Sequence, residues 1–442
     1  MYSARECAVD ILNSVFYKNA YSNIELNNKL KKTNFNEKDK ALITELVYGT
    51  IKYKYSLDSI INVFLRNSLK DVNKTLMNIL RITIYQLRYL DKIPDFAAVN
   101  EAVEISKKVS KGSSKFINGV LRNYLRNKEK CFYNTKNELD TLCFTYSFPD
   151  WMISLFIEQY GKNTAISILK GLNSSPPVTV RVNTLKATFD EVFSKLVSLG
   201  YEVEEGNISP DAIRIINGKG IENNPLFNEG LITVQDESAM MVAPLMELND
   251  NLTVIDLCSA PGGKTTHISE IMNNTGKILA FDIYKNKLEM IRKSSERLGI
   301  QNITLNTIDA SILDEKLIDS ADRVLIDVPC SGLGIIRKKP EIKWTKQYAD
   351  IQDIMHIQRK IMSNAKRYVK PGGIMIYSTC TLAKEENEEN IDWFLKNNPS
   401  FKIIPIECGK SDNLLYHDNG SLTILPNDKM DGFFISKLIR QL

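Results

Sequence analysis

At 442 residues, with 43% apolar and 25% charged side chains, the chain has a globular composition and the length of two or three domains, which excludes a disordered or single-core protein. No apolar run of about 18 residues offers a membrane span, and the start Met1-Tyr2-Ser3-Ala4-Arg5-Glu6 lacks the apolar core of a secretory signal, so a cytoplasmic location is expected. The net charge of +4 hides an asymmetry, since residues 1–130 hold 23 basic and 13 acidic residues and the remainder 34 and 40; a basic segment joined to an acidic one points to a polyanion partner, the plainer alternative being a Lys-rich solvated surface.

Residues 1–130 read as helices. Ala8, Ile11, Leu12, Val15 and Phe16 follow helical spacing, as do Leu42, Leu46 and Val47, then Leu80, Ile84 and Leu87, then Ile117, Val120, Leu121, Tyr124 and Leu125. Lys107–Lys130 carries eight positive residues and one negative, much of it around an expected loop, Lys111 to Lys115. A loop ahead of a helix can receive phosphates on backbone N–H groups. The pattern breaks at 131–150. A helix then starts at Phe148-Pro149-Asp150-Trp151 and ends before Pro176-Pro177. Val178–Val182, Tyr201–Val203 and Ala212–Ile216 read as strands, with a helix over Phe189–Leu199, giving a small α+β domain.

From about residue 233 strands and helices alternate. Strands are expected at Thr253–Leu257, Lys277–Ile283, Ile303–Ile308, Arg323–Val328 and Gly373–Ser378, and helices at Lys285–Leu298, Gln352–Val369 and Glu385–Leu395; strands at Phe401–Ile406 and Phe433–Leu438 close the domain. Apolar strands alternating with helices indicate a doubly wound sheet.

The first of these strands runs into Cys258-Ser259-Ala260-Pro261-Gly262-Gly263-Lys264. Such sheets bind ligands at the carboxyl ends of their strands, where the strand order reverses. Gly262 and Gly263 let backbone approach a ligand closely, the helix that follows presents free N–H groups and a positive dipole end, and Lys264 adds a cation. The phosphate-loop pattern fails, because Cys258 stands at its first glycine, and the dinucleotide pattern fails as well. The carboxylate of an amino-acid-like ligand such as S-adenosylmethionine suits what remains. Asp282, at the end of the second strand, can accept from ribose hydroxyls, and Asp309, at the end of the third, could meet an adenine edge. The plain alternative for each is a capping Asp or a turn glycine.

Seven cysteines without a Cys-x-x-Cys pair, and three scattered histidines, argue against a disulfide framework or a zinc site, and no metal is expected. Cys330 and Cys380 follow the fourth and fifth strands, on the ligand side. Cys7, Cys131, Cys143 and Cys408 read as packing residues, and Cys258, in the cofactor loop, as structural or a cofactor contact. C5 of a pyrimidine is a weak nucleophile; a thiolate added at C6 makes it reactive enough to take a sulfonium methyl. Asp327 is placed to give a proton or hydrogen bond at N3 if burial raises its pKa. Cys330 stands where amine methyltransferases carry a proline, which favours carbon methylation.

The Ser259–Thr265 loop, Asp327-Val328-Pro329-Cys330-Ser331-Gly332, Arg337–Trp344, Ser378-Thr379-Cys380 with Glu385-Glu386-Asn387-Glu388, and Asp431-Gly432-Phe433-Phe434 together resemble the RNA cytosine-C5 methyltransferases of the NOL1/NOP2/Sun family, over essentially the whole chain. The resemblance is to bacterial members acting on small-subunit rRNA. It implies a NusB-like all-α RNA-binding domain over 1–132, a small α+β (ferredoxin/RRM-like) domain over 146–232 and a Rossmann-like α/β methyltransferase domain over 233–442. It implies Cys380 as nucleophile, Cys330 as the assistant of product release, Asp327 as the catalytic acid, and S-adenosylmethionine contacts at Cys258, Ser259, Ala260, Pro261, Gly262, Gly263, Lys264, Asp282, Asp309 and Asp327. It implies 16S rRNA, as a loop or partly assembled subunit, as the partner. Lys338 stands where the family often has a second arginine, a change that weakens one expected RNA contact, and Thr381 replaces a serine while keeping the hydroxyl. Transfer RNA as substrate, and a non-catalytic RNA-binding factor of the same fold, are the alternatives.

Overall fold

The computed structural model describes residues 2–66, 68–130, 132–218 and 220–442. They form two compact units. One runs to Asn173 and takes in Ile336–Gln347; the other comprises Ser174–Ile335 and Tyr348–Leu442.

The first unit is helical: Ala4–Lys18, Ser22–Lys31, Glu37–Lys52, Lys54–Val63, Lys74–Tyr89, Asp95–Lys107, Ser113–Leu125, Glu138–Tyr146, Asp150–Tyr160 and Lys162–Asn173. Local chemistry sets the starts. Ser3 and Glu6 form a reciprocal capping box, and Asn36, Asn73 and Asn137 accept from the first-turn N–H groups of their helices. The apolar stripes meet in one core that includes Leu12, Val15, Leu46, Ile79, Leu80, Ile84 and Leu121. Two local expectations change. The helix near residue 111 begins at Ser113, with Gly112 in the left-handed region at φ 90°, so Ser113 to Lys115 are its first turn and not loop. The break at 131–150 contains the helix Glu138–Tyr146. Cys7 and Cys143 are buried and Cys408 is half-buried; Cys131 lies outside the described residues.

Ile336–Gln347 is built into this helical unit. The Glu341 carboxylate accepts from Ser22 N at 3.1 Å and Ser22 Oγ at 2.7 Å. Lys343 Nζ donates to Lys52 O, Ser147 O and Asn173 Oδ1 at 3.1, 3.0 and 2.8 Å and lies 3.6 Å from the Phe148 ring centre. Burial holds this ammonium well below its usual pKa. Trp344 Nε1 donates to Ile51 O at 2.7 Å.

The second unit carries two sheets. The smaller is antiparallel, in the order β2 (Glu202–Glu205), β3 (Ala212–Asn217), β1 (Val178–Val182), β4 (Ile232–Val234), with the helix Phe189–Ser198 contributing Val192 and Leu196 to its core. The larger sheet contains β5 (Thr253–Asp256), β6 (Lys277–Asp282), β7 (Ile303–Thr307), β8 (Ala321–Asp327), β9 (Val369–Thr379), β10 (Phe401–Ile403), β11 (Leu414–Tyr416), β12 (Leu422–Ile424) and β13 (Phe433–Arg440). Its order is β11-β12-β13-β9-β8-β5-β6-β7, with β10 on β13. β7, β6, β5, β8 and β9 run parallel, and β13 is antiparallel to β9. The chain reverses its direction of travel across the sheet between β5 and β8, which opens a crevice at their carboxyl ends.

Alternation along the strands covers both faces. Ile255, Val324, Ile326, Met375 and Tyr377 pack on one side with Ile361, Met362 and Ala365 of the helix Tyr348–Tyr368. Val254, Leu325, Ile374 and Ile376 pack on the other with Ile268 and Met272 beside the helix Gly263–Ile271. Three short strands, β4, β11 and β12, were not expected from the sequence.

Candidate active site

β5 ends at Asp256, and the loop after it is tied to its neighbours. Thr265 Oγ1 donates to Asp256 Oδ2 at 2.7 Å, and Ser259 N and Oγ both reach Phe281 O, at 2.9 and 2.8 Å. Ala260 N points to Asp282 Oδ2 at 3.4 Å, and Tyr284 N donates to Asp282 Oδ1 at 2.9 Å. Asp282 therefore ends β6 beside the loop. Gly262, at φ 103°, turns the chain into the helix Gly263–Ile271, whose first-turn N–H groups have no acceptor within the helix. Burial pushes Asp256 up to about 7, against the Thr265 hydrogen bond, and its Oδ1 has no hydrogen-bond partner. Burial pushes the Cys258 thiol well up.

Asp309 does not end a strand: β7 stops at Thr307 and Asp309 follows in the turn. There Ser311 Oγ and N donate to its Oδ1 at 2.7 and 2.9 Å and hold its carboxyl below the usual range. Sequence reasoning missed the apolar groups beside these two acids. Ile283 is 52% exposed and Ile312 64%, so each has apolar surface to offer a ligand.

β8 ends at Asp327 and β9 at Thr379, so the loops carrying Cys330 and Cys380 leave adjacent parallel strands. Their sulfurs lie 3.2 Å apart. The neighbouring thiol, together with burial, pushes Cys330 well above the usual thiol range. Asp327 accepts from Lys264 Nζ at 2.7 Å on Oδ2 and from Ser378 Oγ at 2.7 Å on Oδ1. Both of its oxygens thus act as acceptors, and the donor of the pair is Lys264. Burial lowers the pKa of this lysine, but the Asp327 charge outweighs it and the net shift is upward. Lys264 Nζ also lies 5.0 Å from the Phe433 ring centre.

Glu386 braces the two cysteine loops. Its carboxylate accepts from Ser331 N at 2.9 Å, Ser331 Oγ, Gln358 Nε2 at 2.9 Å and Thr381 Oγ1 at 3.3 Å, and burial raises its pKa. Ser331 Oγ and Thr381 Oγ1 are themselves 2.7 Å apart. Gly334 N donates to Cys380 O at 2.9 Å, and a Cβ on Gly334 would come within 2.1 Å of Gly432 O, so only glycine permits this contact between the two loops.

The position of Arg181, on β1, was not foreseen either. It is fully buried, with Nε 2.9 Å from Glu270 Oε2 and Nη2 2.7 Å from Glu270 Oε1. Nη1 donates to Gly263 O at 2.8 Å and to Gln235 Oε1, and Nη2 reaches Thr266 Oγ1 at 3.2 Å. Arg181 thereby holds the first turn of the cofactor helix. Lys338, at the expected RNA contact, is half-buried, and its neighbour Arg337 is 2% exposed; both belong to the segment built into the helical unit.

Among the described residues no group of three or more His, Cys, Asp or Glu side chains is placed to hold a metal ion, and no helix is long and apolar enough to cross a membrane.

Comparison with known proteins adds the following. The family model described as 16S rRNA methyltransferase RsmB/F matches residues 243–439, that of the NusB family 2–126, and that of the RsmF/B-like ferredoxin-like domain 148–222. The probable ribosomal RNA small subunit methyltransferase B of Bacillus subtilis is 36% identical over 441 residues, covering 99% of this chain and 98% of its own. Its Synechocystis counterpart is 35% identical over 446 residues, covering 99% of each. The crystal structure of PH0851 covers 98% of this chain and 97% of its own at a TM-score of 0.83 and 29% identity.

Proposed function

The chain belongs to the RsmB/F family of 16S rRNA methyltransferases, and from that premise we propose that it methylates C5 of one specific cytosine in 16S rRNA, using S-adenosylmethionine as donor and Cys380 as covalent nucleophile. The carrying observation is a pair of thiols 3.2 Å apart at adjacent strand ends, beside the Lys264–Asp327 pair.

The crevice suits S-adenosylmethionine. A first helical turn without acceptors of its own, next to Gly262, receives a carboxylate. Asp282 retains acceptor capacity for ribose hydroxyls, since a carboxylate has about four lone-pair sites and two are engaged. Ile283 and Ile312 would cover its adenine, and Asp309 would meet the edge of that ring. The unpartnered Oδ1 of Asp256 leaves one buried polar site for the ligand or an ordered water. When bound, the cofactor supplies an electrophilic methyl group.

Cys380 adds to C6 of the extruded cytosine as the thiolate, forming a C–S bond and moving the C5–C6 electron pair into the ring. Lys264, held by Asp327, donates toward N3 or O2 and stabilises the charge that develops there. C5 becomes nucleophilic enough to take a methyl group, and the bound donor would release that carbon by breaking its carbon–sulfur bond and keeping the electron pair on sulfur. The C5 proton then passes to solvent water, the electrons of the broken C–H bond rebuild the C5–C6 double bond, and the C–S bond breaks to return the thiolate to Cys380. Cys330, whose sulfur lies 3.2 Å from that of Cys380, is the side chain placed to assist that departure. The reaction requires the base to be unstacked, at lowest cost in a loop or single strand.

The test is incubation of the protein with S-adenosylmethionine and a 16S rRNA transcript, followed by bisulfite sequencing. One protected cytosine is expected. Methylation confined to transfer RNA would move the substrate, and no protected cytosine in either RNA would remove the reading.

A further inference from the structure

The helical unit holds a cavity of about 670 Å³ unrelated to the cysteines, between the loop after the helix Lys54–Val63 and one face of the helix Ser113–Leu125. Its volume falls within the ~300–1,000 Å³ typical of organic-ligand sites. The wall is apolar: Phe64, Leu76, Phe116 and Val120. Phe64 is held edge-on by Tyr124 and Phe132, with ring centres 6.1 and 6.0 Å away.

The rim is chemically one-sided. Arg66 and Lys115 line it, and neither is in an ion pair among the described residues. Asn73 Oδ1 is occupied in capping the N–H groups of Thr75 and Leu76, and Asn123 Oδ1 accepts from Asn127, so the NH₂ donors are what both amides have left to offer a ligand. Asp71 is the one carboxylate on the rim.

Gly119 sits in the interior of the helical wall, and a Cβ there would meet nothing within 4 Å. A helix-interior glycine is less stable than alanine, and here no protein atom requires it. The room is left for something outside the chain.

We propose that this cavity binds a nucleotide of the RNA substrate, stacking an unpaired base on Phe116 and Phe64 and engaging a phosphate with Arg66 and Lys115. Donor-rich rims suit acceptor-rich ligands, and nucleotides carry acceptors on both phosphate and base. The surplus of basic over acidic residues in the first 130 positions supplies the matching long-range field. The site shares no residue with the methyl-transfer chemistry and governs affinity for RNA, not the reaction step. It rests on the RNA-substrate reading above.

The experiment fills the cavity in the full-length protein. Gly119→Phe places a ring in open space while improving helix propensity, so the fold is retained; unchanged thermal melting checks this. Binding and methylation are measured with a protein-free 16S rRNA transcript. The expected result is a rise of about tenfold in KM and apparent Kd for the RNA, with kcat at saturating RNA and the affinity for S-adenosylmethionine unchanged. Arg66→Gln with Lys115→Gln should flatten the salt dependence of Kd by about two contacts. Wild-type RNA binding in both variants would overturn the proposal, whereas a wild-type protein that methylates no RNA would instead overturn the functional reading on which it rests.

Discussion

Arg181 and Glu270 form a bidentate ion pair with both side chains out of solvent, and the same guanidinium donates at 2.8 Å to the carbonyl of Gly263. The small antiparallel sheet is thus anchored, through one side chain, to the helix turn that receives the cofactor. Burial alone would raise the Glu270 pKa, and the Arg181 charge offsets it only in part.

Arg181→Met should cost roughly 3–5 kcal/mol, because it strands a buried carboxylate. Arg181→Met combined with Glu270→Met removes both charges and should recover most of that stability. The double variant still lacks the bond to Gly263 O, so its KM for S-adenosylmethionine should remain raised by about tenfold, equivalent to ~1.4 kcal/mol, with KM for RNA unchanged. Calorimetry and steady-state kinetics separate the two effects; a double variant with wild-type cofactor affinity would reduce Arg181 to a packing role.

Cys380→Ala should abolish methyl transfer and leave S-adenosylmethionine binding intact, as read by isothermal calorimetry. Cys330→Ala should accumulate a protein–RNA adduct that migrates slowly on a denaturing gel. An active Cys380→Ala enzyme would remove the nucleophile, and a Cys330→Ala enzyme without adduct would remove the release step.

Glu386→Ala should leave the donors of Ser331 and Gln358 unsatisfied in a buried site, at about 1–3 kcal/mol for each. It should also lower kcat far more than KM, since it releases both cysteine loops. Glu386→Gln keeps an oxygen acceptor and should lose less of each. Equal loss of stability with unchanged kcat in the alanine variant would show that the brace does not position the thiols.

Asp256 is pushed by burial from 3.8 up to about 7. An acid whose folded pKa lies above its unfolded value binds its proton more tightly in the folded state. The associated stability is present below pH 3.8 and is lost as the pH rises to about 7, roughly 4 kcal/mol at 1.36 kcal/mol per unit. Asp256→Asn should therefore flatten the dependence of the melting temperature on pH between about 4 and 7. A slope identical to that of the wild-type protein would place the loss elsewhere.

The placement of the crevice residues was legible because it is local. Asp282, Asp327, Cys330 and Cys380 each follow an apolar run within a few residues, and strand ends in this sheet type face one side. Asp309 was misplaced only by the exact end of β7. What could not be read depends on partners remote in sequence. Alternation along β1 would turn Arg181 to solvent; it is buried because Glu270, 89 positions later, neutralises it. Glu386 looks like surface charge until Ser331 and Gln358 surround it. Asn137, Glu138 and Asp140 read as turn residues, yet Asn137 caps the helix Glu138–Tyr146 that they begin. Arg337 to Trp344, dense in lysine, resembles an exposed arm, and only the carbonyls of Ile51, Lys52 and Ser147 explain its burial.

That arm makes the helical portion inseparable by a single cut. A fragment terminated at Asn173 would lack the acid that meets Ser22, the ammonium that gathers three distant oxygens and the indole seated on Ile51. Exchange of RNA-binding modules between relatives therefore has to transplant two stretches of polypeptide together, and a library shuffled at one junction would yield hybrids with an unfilled gap in their helical body.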